Sequence, residues 1–294
     1  MSEKTPDVSI LIPNYNSSDL INEALESIVS TAGEVGWDAM VLDDASTDGG
    51  LALVDEKYKR DPHFVFIQNK KNVGYHAMND GIDTMHGRYL MTLDTDARLL
   101  PGTLQALVSF MDAHPEAGAA TGNLHYPNGN IQNYYRRLMT PKHALYNTVP
   151  GRFIDKYFLG LRDYRSYHYL DLDTTRVFEI EQPVVACLIV RREAIGSILM
   201  SPDFEHFGDV DLCRRIYDKG YKIYLVPDAK AIHIKSASFS KKTNAWRERK
   251  YYKGLSTYFK KHYPACAPLM KVVMWVDQIL RSLLEHTVGR APMR

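Results

Sequence analysis

Cysteine is scarce in this 294-residue chain. Cys187, Cys213 and Cys266 are scattered, odd in number and without metal-type spacing, which excludes a disulfide framework and suits a reducing compartment. No apolar run approaches the ~18 residues of a membrane span, and the opening MSEKTPDVSILIP lacks the apolar core of a secretory signal. No Gly-x-Gly-x-x-Gly follows the first apolar run, which argues against a dinucleotide oxidoreductase. Internal repeats and low-complexity tracts are absent. A formal net charge of +1 offers no general basic excess for nucleic acid. What is present is the 45% apolar, 24% charged mixture of a folded protein, enough for one large domain or for one domain plus a small appendage.

The chain is organised around Arg88–Leu100, RYLMTLDTDARLL. Its apolar run, bounded by Gly87 and Pro101, predicts a strand buried on both faces of a parallel sheet. It stops at Asp94-Thr95-Asp96. Carboxylates at i and i+2 on a strand point the same way. They repel unless a cation lies between them, and Mg²⁺ or Mn²⁺ commonly shares such oxygens with substrate phosphates. Taken alone, the stretch is better explained as a polar turn after a strand, since Asp-x-Asp is a common string.

The preceding segments strengthen the metal reading. Val8–Ile12, Ala39–Leu42 and Phe64–Ile67 read as three strands alternating with helices, which implies βαβ crossovers and a mostly parallel sheet. Four strand ends then share one edge, carrying Asn14 and Tyr15, Asp43 and Asp44, Asn69 and Asn72, and Asp94 and Asp96. A helix opening after Asn72-Val73-Gly74-Tyr75 carries Asn79 and Gly81. Further on, Pro183–Val190 reads as a strand. Asp209 and Asp211 begin a helix, where the dipole also favours acids. Tyr221–Val226 and Ala229–Ile234 read as two strands around Pro227-Asp228, the second carrying His233.

Two stretches stand apart. From His125 to about Arg176 the chain is basic, rich in Tyr and without clear periodicity. After Ser240, two amphipathic helices follow, one through Trp246, Tyr252, Leu255 and Phe259, the other through Val272, Trp275, Ile279 and Leu283. Such helices either lie on an anionic membrane surface or pack on the domain or on a second subunit, as in a homo-oligomer.

Taken in order, VSILIPNYN (8–16), VLDDASTDGG (41–50), NVGYHAMNDGI (72–82), LMTLDTDARLLPG (90–102), VVACLIVRREA (184–194) and GDVDLCRRIYDKGYKIYLVPDAKAIH (208–233) resemble the family 2 nucleotide-sugar glycosyltransferases. The nearest subgroup is the rhamnosyltransferase-like inverting enzymes. The resemblance implies an α/β GT-A fold with a mostly parallel central sheet flanked by helices. It implies a catalytic domain over 1–240, its nucleotide-binding half about 1–100 and acceptor half about 101–240, followed by a helical tail over 241–294. Pro13, Asn14, Tyr15, Asp43, Asp44, Asn72, Gly74, Asn79, Thr95 and Arg215 would hold a UDP- or dTDP-sugar. Asp94, Asp96 and His233 would bind Mg²⁺ or Mn²⁺, and Asp209 would be the general base. Gly208 stands where the family usually has Glu, with Glu205 nearby. The implied partner is a glycan or lipid-linked glycan acceptor, in the cytoplasm or peripheral on the inner membrane surface. The rivals are a haloacid-dehalogenase-type phosphatase using Asp94 and Asp96, and a non-catalytic sugar-nucleotide-binding protein. The phosphatase motif belongs on an early strand and continues with Thr, whereas here Ala97 follows and three strands precede.

Overall fold

The computed structural model describes residues 5–234 and 243–288. Among the described residues nine strands form one sheet: β1 (Val8–Asn14), β2 (Trp37–Asp43), β3 (Phe64–Gln68), β4 (Tyr89–Leu93), β5 (Ala97–Leu99), β6 (Ala117–His125), β7 (Phe178–Ile180), β8 (Cys187–Arg191) and β9 (Lys222–His233). Their order is β3-β2-β1-β4-β8-β6-β9-β5, with β7 also on β9. The first four run parallel, as the alternating pattern predicts. In the other half β8 is antiparallel to both β4 and β6, and β6 runs parallel to β9.

The parallel half is apolar on both faces because helices cover it. Ile10, Leu11, Ile12, Leu90, Met91 and Leu93 are fully buried. Helix Ser18–Thr31 buries Ile21, Ala24, Leu25 and Ile28, a spacing of three and four that sets one stripe against the sheet. Register aligns the strand ends. Asn14 pairs with Asp43, and Asp43 with Gln68. Leu11 pairs with Thr92, which brings Asp94 to the same end.

Several boundaries differ from the sequence pattern. The strand expected over Pro183–Val190 is confined to Cys187–Arg191, and residues 183–186 approach it as an irregular segment. The helix expected after Asn72 is a 3₁₀ turn, Gly74–Asn79, followed by Asp80–Thr84. The two strands expected around Pro227-Asp228 are one strand, β9. Its pairing with β6 slips between Thr121–Leu225 and Asn123–Lys230, so the residues around Pro227 form a bulge. Gly122 faces this bulge, and a Cβ there would meet Ala229 O at 2.2 Å.

A second unit groups Arg136–Leu172 with the described part of Thr243–Arg294. The aperiodic insert is built of short helices at 141–146, 149–154 and 163–167, with a π-turn at Asp155–Leu159. Thr140 and Thr148 cap the first two by accepting the amides of His143 and Gly151. Helix Ala267–Val288 packs on these, and buried Asp277 ties the unit together. Its carboxylate accepts from Val149 N (2.7 Å), Tyr252 Oη (2.7 Å) and Arg281 Nε (2.8 Å).

Gly122→Ala should destabilise the fold by about 1–3 kcal/mol, since backbone rather than a flexible side chain blocks the added carbon. The midpoint of urea unfolding checks this.

Candidate active site

Asp94 ends β4 and its amide donates to Ala186 O (3.0 Å). The chain then turns, with Ala97 N donating to Asp94 O (2.9 Å), and enters β5. Ala97 pairs with His233 at the end of β9, which sets His233 beside Asp96. Asp94, Asp96 and His233 each place one ligand atom within 4.8 Å of the other two. His233 Nε2 lies 3.3 Å from Asp96 Oδ1.

The tautomer of His233 follows from Gln132, a residue that the sequence did not single out. Gln132 Nε2 donates to the carbonyl of His233. That orients the amide so that Oε1 faces His233 Nδ1 at 2.9 Å. Nδ1 therefore carries the proton, and in the neutral ring Nε2 presents a lone pair. In that neutral form the Nε2 lone pair and the Asp96 oxygen face each other with no hydrogen between them. A divalent cation satisfies that arrangement, and the oxygen, oxygen, nitrogen donor set suits Mn²⁺ or Mg²⁺. The residues fit the ion that the sequence implies.

Charge crowding shows in the acidities. Burial, then the Asp96 carboxylate, push Asp94 up to about 6. Tyr75 Oη lies 3.3 Å from both Asp94 oxygens, and the Asp94 charge, then burial, raise its phenol. Asp209 adds to both effects, which places it in the same electrostatic neighbourhood.

Asp209 lies in the first turn of helix Gly208–Asp218. Burial raises its pKa, opposed by the amide of Val210, its own amide and the side chain of Gln182. Gln182 is also buried, and its Oε1 has no hydrogen-bond partner among the described residues. Phe207, at φ +79°, leads into this helix. At Gly208 a Cβ would lie 3.3 Å from Met200 Sδ, so the Glu common in the family would crowd Met200 here. Glu205 is exposed.

The acidic residues of the neighbouring strand ends organise loops. Asp43 accepts from Asn14 Nδ2 (2.6 Å), Ser46 N (3.1 Å) and Gln68 Nε2 (3.3 Å). Asp44 accepts from Asn69 Nδ2 (3.1 Å), Val73 N (2.8 Å) and Gly74 N (2.6 Å), which fixes the turn containing Asn72. Gly74 has φ +71°, a conformation that glycine adopts without strain. Pro13 is half-buried, Tyr15 and Asn72 are exposed, and Thr95 is buried between the two aspartates.

Asn79 and Arg215 grip the segment before Asp209. The Asn79 amide donates to Met200 O (2.7 Å) and accepts from the amides of Leu199 (3.0 Å) and Met200 (2.9 Å). Arg215 donates to Ile198 O, Leu199 O and the buried Asp211. His76 Nε2 meets Phe204 O at 2.8 Å.

The family model "Glycosyl transferase family 2" matches residues 9–174. The chain belongs to that family. The matched residues include Asp94 and Asp96 and stop short of Asp209 and His233. Among curated relatives, the succinoglycan biosynthesis protein ExoO of Rhizobium meliloti is 36% identical over 112 residues, covering 38% of this chain and 31% of its own length. The putative teichuronic acid biosynthesis glycosyltransferase TuaG of Bacillus subtilis is 28% identical over 124 residues, covering 42% and 48%. The chain spans between a quarter and a half of the length of the first relatives it matches. The mannosyltransferase PcManGT of Pyrobaculum calidifontis, solved with GDP-Man and Mn²⁺, superposes with a TM-score of 0.58 at 18% identity, covering 99% of this chain and 78% of that one. GalNAc-T7 with UDP, GalNAc and Mn²⁺ gives 0.56 at 16% identity, covering 79% and 44%. These likenesses show the fold, which is GT-A.

Gln132→Met removes the acceptor at Nδ1 and the donor to the strand. It should weaken Mn²⁺ binding about 10–100-fold, read by calorimetry. Gln132→Glu keeps an oxygen at the ring and should restore part of the loss.

Proposed function

We propose that this family 2 protein is a metal-dependent inverting glycosyltransferase. It moves one sugar, rhamnose or another hexose, from a UDP- or dTDP-sugar to a growing glycan in cell-surface polysaccharide assembly. The observation that carries this reading is the convergence of Asp94, Asp96 and His233 in one electrostatic neighbourhood with Asp209. The family match and the polysaccharide-related names of ExoO and TuaG support it.

The residues divide the work as follows. Asp94, Asp96 and His233 would hold Mg²⁺ or Mn²⁺, whose chemistry here is neutralisation of the departing diphosphate. Tyr15, exposed at the end of β1, offers an aromatic face to the base. Pro13, Asn14 and Asp43 form the floor beside it, and Asp44 fixes the turn of Asn72 and Gly74 that borders the nucleotide. Thr95 sets the spacing of the two aspartates. Asn79 and Arg215 act through the 198–200 segment rather than by reaching the diphosphate, since their polar groups are taken up there.

Asp209 accepts the proton of the acceptor hydroxyl. That oxygen forms a bond to the anomeric carbon from the face opposite the diphosphate, and the carbon–oxygen bond to phosphate breaks with its electron pair. The configuration inverts. Burial of Asp209 raises its basicity, opposed by hydrogen bonds from the Val210 amide, its own amide and Gln182. The unpartnered Gln182 Oε1 can accept from the same hydroxyl or its neighbour. The acceptor is read as lipid-linked at the inner membrane surface, with 244–294 meeting that surface.

Asp209→Asn should lower kcat by roughly 10²–10⁴-fold while Mn²⁺-dependent UDP or dTDP binding persists. An active Asp209→Asn contradicts the base assignment. Gln182→Met should shift the acidic limb of the kcat/KM profile to higher pH, because the lost hydrogen bond favours the ionised carboxylate. An unmoved limb separates Gln182 from Asp209.

A further inference from the structure

The second unit displays apolar surface in a form that the fold has built. Between 153 and 161, six large apolar side chains are exposed: Phe153, Ile154, Tyr157, Phe158, Leu159 and Leu161. Phe158 is 75% exposed. The display is fixed. Buried Asp155 accepts from the amides of Leu161 (2.7 Å) and Asp163 (2.8 Å), and Gly160, at φ +63°, returns the chain with its amide on Asp155 O (2.7 Å). The rings of Phe153 and Tyr157 pack at 4.8 Å.

Helix Ala267–Val288 repeats the theme. Met270, Met274 and Asp277 form its buried side. Val272, Trp275, Ile279 and Leu283 recur at three- and four-residue spacing on the opposite side, all exposed. A helix apolar on both sides needs a second apolar environment. Among the described residues no helix is long and apolar enough to cross a membrane.

Charge selects the occupant. Arg136–Leu172 and Thr243–Arg294 together hold 17 Lys and Arg against 6 Asp and Glu, a net +11, whereas the rest of the chain is −10. Arg152, Lys156 and Arg162 flank the tip itself. Two copies of so basic a unit repel face to face. An anionic bilayer attracts the charge and receives the apolar side chains.

We propose that the Phe153–Leu161 turn is an insertion tip that enters the headgroup layer of an anionic bilayer, with the outer stripe of helix Ala267–Val288 lying on the same surface. This rests on the reading of a membrane-linked acceptor and adds the element that penetrates. The tip keeps the enzyme at the surface where such an acceptor is presented.

The test is co-sedimentation of the full chain with vesicles of phosphatidylcholine alone or with phosphatidylglycerol added. The wild type should partition onto the anionic vesicles. The double variant F158D/L159D should lose more than tenfold of that partition, because burial of two large apolar side chains is replaced by repulsion. Its melting temperature should be unchanged, since both side chains are exposed. Trp275→Glu should weaken partition as well. Wild-type binding that F158D/L159D leaves intact overturns the tip and leaves the membrane reading standing. A wild type that binds neither vesicle overturns both. So does a dimer in sedimentation equilibrium that the double variant dissolves while vesicle binding is absent.

Discussion

Lone pairs and negative charges accumulate at one end of this sheet faster than protein donors can satisfy them. Asp94, Asp96 and Nε2 of His233 face one another, and Asp209 lies within electrostatic reach. The parallel half of the fold forces this. Register brings the ends of β1, β2 and β4 to one level, and the β5–β9 pairing delivers His233 from a strand more than a hundred residues away in sequence. Burial and the Asp96 charge push the pKa of Asp94 up to about 6. On the proposed reading, a divalent ion and an anionic substrate would meet that electrostatic demand together.

Around that demand, the remaining polar side chains act as scaffolding. Asp44 closes a turn on backbone amides, Asn79 and Arg215 seize the carbonyls and amides of 198–200, and Gln132 holds both the ring and the strand of His233. Each replaces a bond to water by several fixed bonds, which suits groups that must not reorganise during reaction. Residues that would touch substrate and residues that position them therefore have similar types and lie close in sequence. Their bonding partners tell them apart.

Asp94, Asp96, Asp209 and His233 were legible because their motifs occur in order, each attached to a strand end or helix start. Gln132 was not, since a glutamine in an aromatic, aperiodic stretch carries no pattern; only its two bonds to His233 give it meaning. The helices of 141–154 are too short to show a period, although Thr140-Pro141 and Thr148-Val149-Pro150 are recognisable caps. β5 and β7, three residues each, fall below any alternation signal. Pro227 argued for a break in β9, and a bulge absorbs it instead. In the tail, periodicity placed both helices but not their burial: Leu255, Tyr258 and Phe259 are inside, while Trp275 and Val272 face outward. Amphipathicity reveals that a face exists, and only packing reveals which neighbour covers it.

On the proposed reading, one histidine nitrogen joins two carboxylates around a divalent ion. Electron spin echo spectroscopy of Mn²⁺ bound to the full chain in the presence of UDP tests it most directly. Nitrogen coupling from a single imidazole should be present and should disappear in His233→Ala. Absence of imidazole coupling in the wild type, or coupling that survives His233→Ala, would contradict it.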